Sequence, residues 1–484
     1  MKKRIFAGWI ALLPALAGVL AQQTTDSVFR FSLAEARAYS FIHSPVMKNA
    51  ELDVKAARKK VWETTAIGLP QVNAKGSYSY MLTVPKTIED FSAFSQLNGV
   101  LYGFGQNLSG LNQSVNGINQ QLGLPAPPIN ADYSYLTPPA ESEFDIDDLK
   151  ETITLDITVT QLIFSGAYLV GLQTARTFKG LSQLALTKSR TDLAESITNS
   201  YYLVLVVREN KATTDSIYVS IQKNVAESEA LLAQGFIDET TVDQIRLAAS
   251  NIKSLADMLS RQATITENLL KYQLGIDPQN KIELTETIDD LLAKQSLSLA
   301  TKEFSLSDNI DYRLLETQEK LMRLNLKHKQ SEFLPEIAGY YNHQENYNDK
   351  SFTFTPPDMV GVSINIPIFG SGMKMAKVSQ AKIQYQQAKN TKEHTADALK
   401  IAFDDAKSSF LSSYEKYETE KKNMQLSRRI YNQTLIKYKE GIASGMELTQ
   451  AQNQYFNTQA SYYAAIIAMV NSSAKLEKLI TDNK

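Results

Sequence analysis

The sequence predicts a mixed α and β membrane protein in which one unit, a strand hairpin followed by a long coiled-coil helical hairpin, is written twice. Three observations carry this. Short elements recur in order: Leu69-Pro70-Gln71-Val72 as Leu334-Pro335-Glu336-Ile337, Ile163-Phe164-Ser165-Gly166 as Ile368-Phe369-Gly370-Ser371, and Gln234-Gly235-Phe236-Ile237 as Glu440-Gly441-Ile442-Ala443. Their spacing is kept, since Phe164 to Gly235 is 71 residues and Phe369 to Gly441 is 72. Long stretches lack proline, and each is preceded by a run that alternates apolar and polar residues. Repetition of whole elements with matching punctuation points to architecture rather than to one active site.

The chain opens as an export signal. Lys2, Lys3 and Arg4 precede an apolar stretch from Ile5 to Leu20, and Val19-Leu20-Ala21 offers small residues for cleavage, so residues 1–21 read as a signal peptide. Removing its three basic residues moves the formal charge from −2 to −5. A mildly acidic mature chain has no bulk attraction to nucleic acid. There is no cysteine, which excludes disulfides, thiolate metal sites and a cysteine nucleophile. Beyond the signal no apolar run reaches the ~18 residues of a membrane-spanning helix. An exported chain with these properties is expected to be periplasmic, extracellular or an outer-membrane β-barrel.

The first repeat is expected over 22–278. Its opening helix ends near Leu69-Pro70. A strand pair follows at 71–81 and 152–162, interrupted by an insertion at 82–151 rich in Asn, Gln, Gly, Ser and Pro, read as an extended hairpin loop. On the second strand Ile153, Leu155, Ile157 and Val159 alternate with Thr152, Thr154, Asp156, Thr158 and Thr160. Strands of about 9–11 residues, apolar on one side and polar on the other, suit a barrel with lipid outside and water inside. A soluble hairpin with one buried face has the same alternation; the export signal and the attached helices favour the membrane. A long helical hairpin then spans 167–274. It turns at Gly235, as a left-handed helix cap requires.

Residues 279–308 link the repeats and are expected to hold a short helix from Glu286 to Ala293. The second repeat, 309–484, has a helix, a strand pair at 336–344 and 359–368, and a hairpin at 372–479. Val360, Val362 and Ile364 form the apolar side of its last strand. Met373 to Glu440 contains neither Gly nor Pro and carries an apolar stripe through Phe403, Ala406, Phe410, Tyr414 and Tyr417. Steps of three and four place these on one helix face, to be packed along its whole length. Two hairpins give only four strands, too few to close a barrel. Open edges are not tolerated in lipid, so copies of the chain must pool their strands.

Other chemistry is poorly supported. The four histidines are dispersed without metal-ligand spacing. Gly370-Ser371-Gly372-Met373-Lys374 lacks the spacing of a phosphate loop. No cluster of nucleophile and base appears, so neither an enzyme nor a cofactor is expected.

With these residues in hand, the chain resembles the TolC family of outer-membrane efflux proteins. The resemblance rests on the two Leu-Pro elements, the two Ile-Phe elements and the glycine-centred turns. The second turn, Tyr438-Lys439-Glu440-Gly441-Ile442-Ala443-Ser444-Gly445-Met446-Glu447-Leu448-Thr449-Gln450, follows the family pattern most fully. What it implies is a homotrimer in the outer membrane, in contact with its lipid. Four strands per subunit make one 12-stranded β-barrel, continued by a periplasmic α-helical tunnel. The chain would be a passive exit duct. Its partners would be a periplasmic adaptor (membrane fusion) protein and, through it, an inner-membrane transporter of RND, ABC or MFS type. The resemblance further implies docking turns at Gly235, Phe236, Ile237, Tyr438, Gly441 and Ile442. It also implies a gate at Glu447 and Gln450, with Thr241 and Asp243 as first-repeat counterparts. Glu447 also suits the start of a helix on dipole grounds alone. The rival reading is a periplasmic coiled-coil adaptor or scaffold; two hairpins and two strand pairs weigh against it.

Overall fold

The structure is a computed structural model that describes residues 28–83, 86–123, 151–294, 297–347 and 356–480. The expected signal peptide, and residues 124–150 of the insertion, lie outside the described residues. Two compact units form: one from the described residues of Met1–Arg58, Thr177–Lys320 and Gln386–Lys484, the other from Lys59–Arg176 and Leu321–Tyr385.

The chain begins with β1 (Phe29–Phe31), α1 (Leu33–His43) and α2 (Pro45–Ala66). A capping box starts α1: the Ser32 hydroxyl accepts from the Glu35 amide, and the Glu35 carboxylate accepts from the Ser32 amide at 2.8 Å. Pro45 opens α2, where its missing N–H and fixed φ do no harm. Next come β2 (Gln71–Tyr80), α3 (Lys86–Gln121), β3 (Glu151–Ser165), α4 (Gly166–Ala233) and α5 (Glu239–Leu274). Between the repeats are β4 (Ile282–Leu284), α6 (Ile288–Lys294) and a short 3₁₀ turn at Leu297–Thr301. The second repeat holds α7 (Ile310–Ser331), β5 (Glu336–Asn346), β6 (Asp358–Asn365), α8 (Met373–Lys439) and α9 (Gly445–Ile480).

Two features differ from the sequence reading. The insertion is not all loop, because α3 makes 36 of its residues helical. Polar and glycine-rich composition suggested a loop, whereas the apolar residues there recur on a helical period. The linker helix starts at Ile288 rather than Glu286, and β4 before it pairs in parallel with β1. Three-residue strands are too short for a period of two to register.

The first unit is a packed helical body. Tyr201, Ile197, Phe410, Ile466, Met469 and Leu270 are fully buried and belong to one cluster around α4, α5, α8 and α9. Thus the α8 stripe packs as its spacing requires. The Tyr201 hydroxyl donates to the Phe31 carbonyl at 2.9 Å, so burial, which pushes its pKa up, leaves no polar atom unpaired. A second cluster, with Ile217, Ile221, Ile245, Tyr431, Leu448 and Tyr455, fills the same four helices nearer their glycine turns. There the Tyr431 and Tyr455 rings stack with centroids 5.8 Å apart.

One ion-pair group inside this unit has a pH signature. Glu267 takes Arg208 at 2.8 Å and Lys271 at 3.0 Å, and Lys271 is almost wholly buried. Burial pushes the Glu267 carboxyl up, but the Arg208 and Lys271 hydrogen bonds outweigh it and the pKa is lowered below the usual carboxylate value. A depressed acid contributes stability that is present above its unfolded pKa and lost as pH falls through the folded one. Glu209, pushed up by burial and then by Asp289, acts in the opposite sense, so a variant comparison is needed to isolate Glu267. Thermal unfolding against pH is therefore expected to show a steeper loss below pH ~4.5 in the parent than in Glu267→Gln. Parallel curves would show that this group is not coupled to folding.

Candidate functional site

Two regions carry the candidate residues, the glycine turns of the first unit and the sheet of the second. At the first turn Gly235 has φ +76°, its N–H bonds to the Leu232 carbonyl and that of Phe236 to the Leu231 carbonyl, both at 2.9 Å. At the second Gly441 has φ +75°, its N–H bonds to the Tyr438 carbonyl at 3.0 Å and that of Ile442 to the Lys437 carbonyl at 2.8 Å. This is one Schellman motif built twice, and only glycine takes its left-handed position without strain. The usual apolar contact of that motif is not what Phe236 and Ile442 supply. They stand 73% and 71% exposed, and Met446, in the first turn of α9, is 66% exposed. Large apolar side chains kept in water on rigid turns suit a protein contact. Ile237 is half-buried. Tyr438 is held: its hydroxyl and that of Ser228 lie 2.9 Å apart, next to a Lys439–Glu227 pair at 3.1 Å, and these join α8 to α4.

The four gate candidates sit where α5 and α9 begin. Glu447 closes a capping box, its carboxylate accepting from the Ser444 amide at 2.7 Å while the Ser444 hydroxyl accepts from the Glu447 amide at 3.2 Å. In the first repeat Asp238 caps α5 from one side, accepting from the Thr241 amide at 2.8 Å, and its pKa is held down first by the Thr241 hydroxyl and then by that amide. Thr241 is half-buried against α9, because a Cβ on Gly445 would come within 2.8 Å of its methyl group. Asp243 is paired with Arg246 at 3.2 Å, and Arg246 also takes Glu229 at 2.7 Å. Gln450 is exposed in a groove it shares with Gln244, Met446, Asn453, Gln454 and Asn457. The candidates therefore split. Glu447 and Gln450 face solvent, whereas Thr241 packs and Asp243 is neutralised. Sequence reasoning passed over Met446 and the carboxamides Asn453, Gln454 and Asn457. Their spacing of three, four and seven from Gln450, one helix face, was the available signal.

In the second unit the sheet order is β2-β3-β5-β6, antiparallel throughout. Partners directly opposite share a face, so the register draws the rows. One row is Val72, Val159, Tyr341 and Val360; another is Tyr78 beside Ile153; a third is Gln161, Gly339 and Val362; a fourth is Phe164, Ile337 and Ile364. Leu155 and Ile157 fall on this same face. The opposite face carries Asn73, Lys75, Ser77, Thr154, Asp156, Thr158 and Asn342, with Ser77–Thr154 and Thr158–Asn342 hydrogen bonds at 2.6 and 2.7 Å. All seven apolar strand positions expected from the alternation thus lie together on one side. On that side, polar atoms near one end satisfy each other, Asp358 taking Tyr341 at 2.6 Å and His343 at 2.9 Å. β2 and β6 each have one neighbour, and every residue of β2 is exposed. Close packing anchors the sheet to its helices: Gly68 lies so near the Tyr168 ring that a Cβ would meet its hydroxyl at 2.3 Å, and the Gln161 side chain donates to the Gly68 carbonyl at 2.7 Å.

Among the described residues no group of His, Asp or Glu is arranged to hold a metal ion, and no helix is long and apolar enough to cross a membrane.

Residues 306–481 match the family model described as outer membrane efflux protein. A curated relative, the proteases secretion protein PrtF of Dickeya chrysanthemi, is 23% identical over 255 residues, covering 50% of this chain and 53% of the relative. The chain therefore spans about half the length of the curated relative it matches. Solved structures share the fold. The outer membrane protein VceC of Vibrio cholerae aligns with a TM-score of 0.66 at 15% identity, covering 93% of this chain and 97% of that one. CusC aligns at 0.69 and 16%, covering 96% and 95%. The CmeC outer membrane channel of Campylobacter jejuni aligns at 0.66 and 15%, covering 93% and 85%.

Proposed function

We propose that this chain, whose resemblance to the TolC family is supported by the efflux-protein match over its second repeat, is a passive outer-membrane exit duct with a large periplasmic part. It moves substrates delivered by an inner-membrane transporter of RND, ABC or MFS type, through a periplasmic adaptor, in a tripartite efflux or type I secretion system. The observation that carries this is the sheet: four strands, one face on which the row Val72, Val159, Tyr341 and Val360 is apolar across all of them and the seven alternating aliphatic residues gather, with Gln161, His343, Glu345 and Asp358 as its polar members, and both edges open. Unpaired strand edges cost several kcal/mol per group in hydrocarbon. The edges must therefore meet those of other copies, and three copies supply a 12-stranded closed barrel with lipid outside and the Thr, Asn and Ser face inside. The curated relative is described as a protein of protease secretion, which favours the secretion form of the machine. The duct catalyses nothing.

The exposed Phe236, Ile442 and Met446 are the surface offered to the adaptor. Glu447 contributes one carboxylate per copy to a ring at the entrance. Two variants separate its charge from its helix cap. Glu447→Gln keeps a capping-box acceptor, whereas Glu447→Ala removes it. Single-channel recording is expected to show lower cation selectivity in both. Selectivity unchanged in Glu447→Gln would remove the ring from the mechanism.

Electron microscopy of the full chain extracted in detergent tests the duct. Threefold particles with a closed barrel are expected. Monomers recovered from the soluble fraction without detergent would overturn the reading.

A further inference from the structure

The insertion between β2 and β3 holds a helix that the duct reading does not use. Over residues 103–123 the chain runs as three tandem heptads, GFGQNLS, GLNQSVN and GINQQLG. Each begins with glycine, then a large apolar residue, has glutamine fourth and a second apolar residue sixth. On α3 this puts Phe104, Leu111 and Ile118 in one line, and they are 64%, 63% and 53% exposed. Gly103, Gly110 and Gly117 run beside them, and a Cβ at any of the three would meet nothing within 4 Å.

This composition is costly for an isolated helix. Interior glycine weakens a helix by about 1 kcal/mol each relative to alanine, and α3 contains five. A strict seven-residue recurrence is the period of helices that wind around one another. Glycine at one position of every heptad lets a second backbone approach closely. No charged residue occurs from Phe91 to Gln121. That speaks against a helix lying in a membrane surface, which needs a basic polar face, and it leaves nothing to select a charged partner. Uncharged stripes of this kind are self-complementary. The helix also starts six residues after Tyr80, the end of the open edge strand β2, where the duct reading brings copies together.

We infer that α3 packs against the α3 helices of other copies of this chain, stripe to stripe, as a parallel coiled coil seeded at β2. The inference rests on the pooled-strand reading. Equivalent helices in a closed cyclic assembly can meet one another only around its rotation axis. The bundle therefore stands on the path of any cargo and narrows the mouth at the β2–β3 loop side.

The absence of native cysteine makes single-cysteine variants unambiguous. Leu111→Cys and Ile118→Cys lie on the stripe, and Gln113→Cys lies off it. The full chain is purified in detergent, its native mass measured, and the sample oxidised with copper phenanthroline. Both stripe variants are expected to become covalent dimers while Gln113→Cys stays monomeric on denaturing gels. A trimeric native mass with no stripe-specific dimers would overturn the α3 contact and leave the duct reading intact, whether the stripe is then covered by lipid or by its own chain. A monomeric native mass would overturn both.

Discussion

Replacing Val362 by arginine is expected to destabilise the sheet in a bilayer by about 2–4 kcal/mol, while arginine at Ser363, one residue on, is expected to be tolerated. Val362 lies opposite Gly339 in the row that continues the apolar face, and Ser363 lies opposite Ala338 on the polar one. A guanidinium on a lipid-facing barrel position near the midplane must leave water for hydrocarbon, which is the origin of that figure. On the inner face it stays hydrated. Because adjacent strand residues point to opposite faces, the two variants are matched in strand, edge and local backbone and differ only in what they face. Denaturant unfolding of the vesicle-inserted protein, or loss of the heat-stable oligomer on gels, reads the difference. Equal losses in both variants would remove the assignment of lipid and lumen faces, and with it the case for Ile153, Leu155, Ile157, Val159, Val360 and Ile364 as lipid contacts.

The second large effect is expected at Gly275, in the helical unit. It ends α5 with φ +76°, and its N–H bonds the Tyr272 carbonyl while that of Ile276 bonds the Lys271 carbonyl. A Cβ there would sit 2.8 Å from the His43 carbonyl oxygen and 3.2 Å from Pro45 Cδ, at the break between α1 and α2. Two penalties therefore add in Gly275→Ala. The left-handed backbone costs about 1–3 kcal/mol for a residue with a side chain, and the clash is with backbone, which cannot rotate away. Gly235→Ala shares the backbone conformation but meets nothing within 4 Å, so it carries only the first penalty. Gly275→Ala is expected to lower the thermal midpoint clearly more than Gly235→Ala. Equal shifts would mean that α1 moves aside freely.

Elements whose signal is long and repeated could be read from the sequence. Helix α8 was expected from a stretch without Gly or Pro and runs Met373–Lys439; its stripe residues Ala406, Phe410 and Tyr417 are buried. The alternation around Ile157 and Val362 gave strands whose register aligns the apolar rows. What escaped was short or disguised. β1 and β4 are three residues each, and pairing between strands some 250 residues apart leaves no local trace. In α3 the heptad was hidden because glycine and asparagine, read singly, mark loops, and only their recurrence at seven reveals a helix. At the turns, the left-handed glycines followed from helix ends flanked by periodic residues. The partners of the candidates did not: Ser228 for Tyr438, Arg246 for Asp243 and Ser444 for Glu447 are facts of folding, though Ser444 three residues before Glu447 is the spacing of a capping box.

The two open strands have a consequence in genetics. On the proposed pooling of strands, a subunit that must complete its sheet with its neighbours is judged in company, because β2 of one copy would share a seam with β6 of another. A lesion confined to one strand, such as arginine at Val362, then spoils every ring into which the faulty copy enters, and with both alleles expressed together intact rings become a small minority. Loss-of-function alleles in β6 should behave as dominant, whereas alleles that unfold the chain before assembly, such as Gly275→Ala at its most severe, should be recessive because their product never reaches a ring.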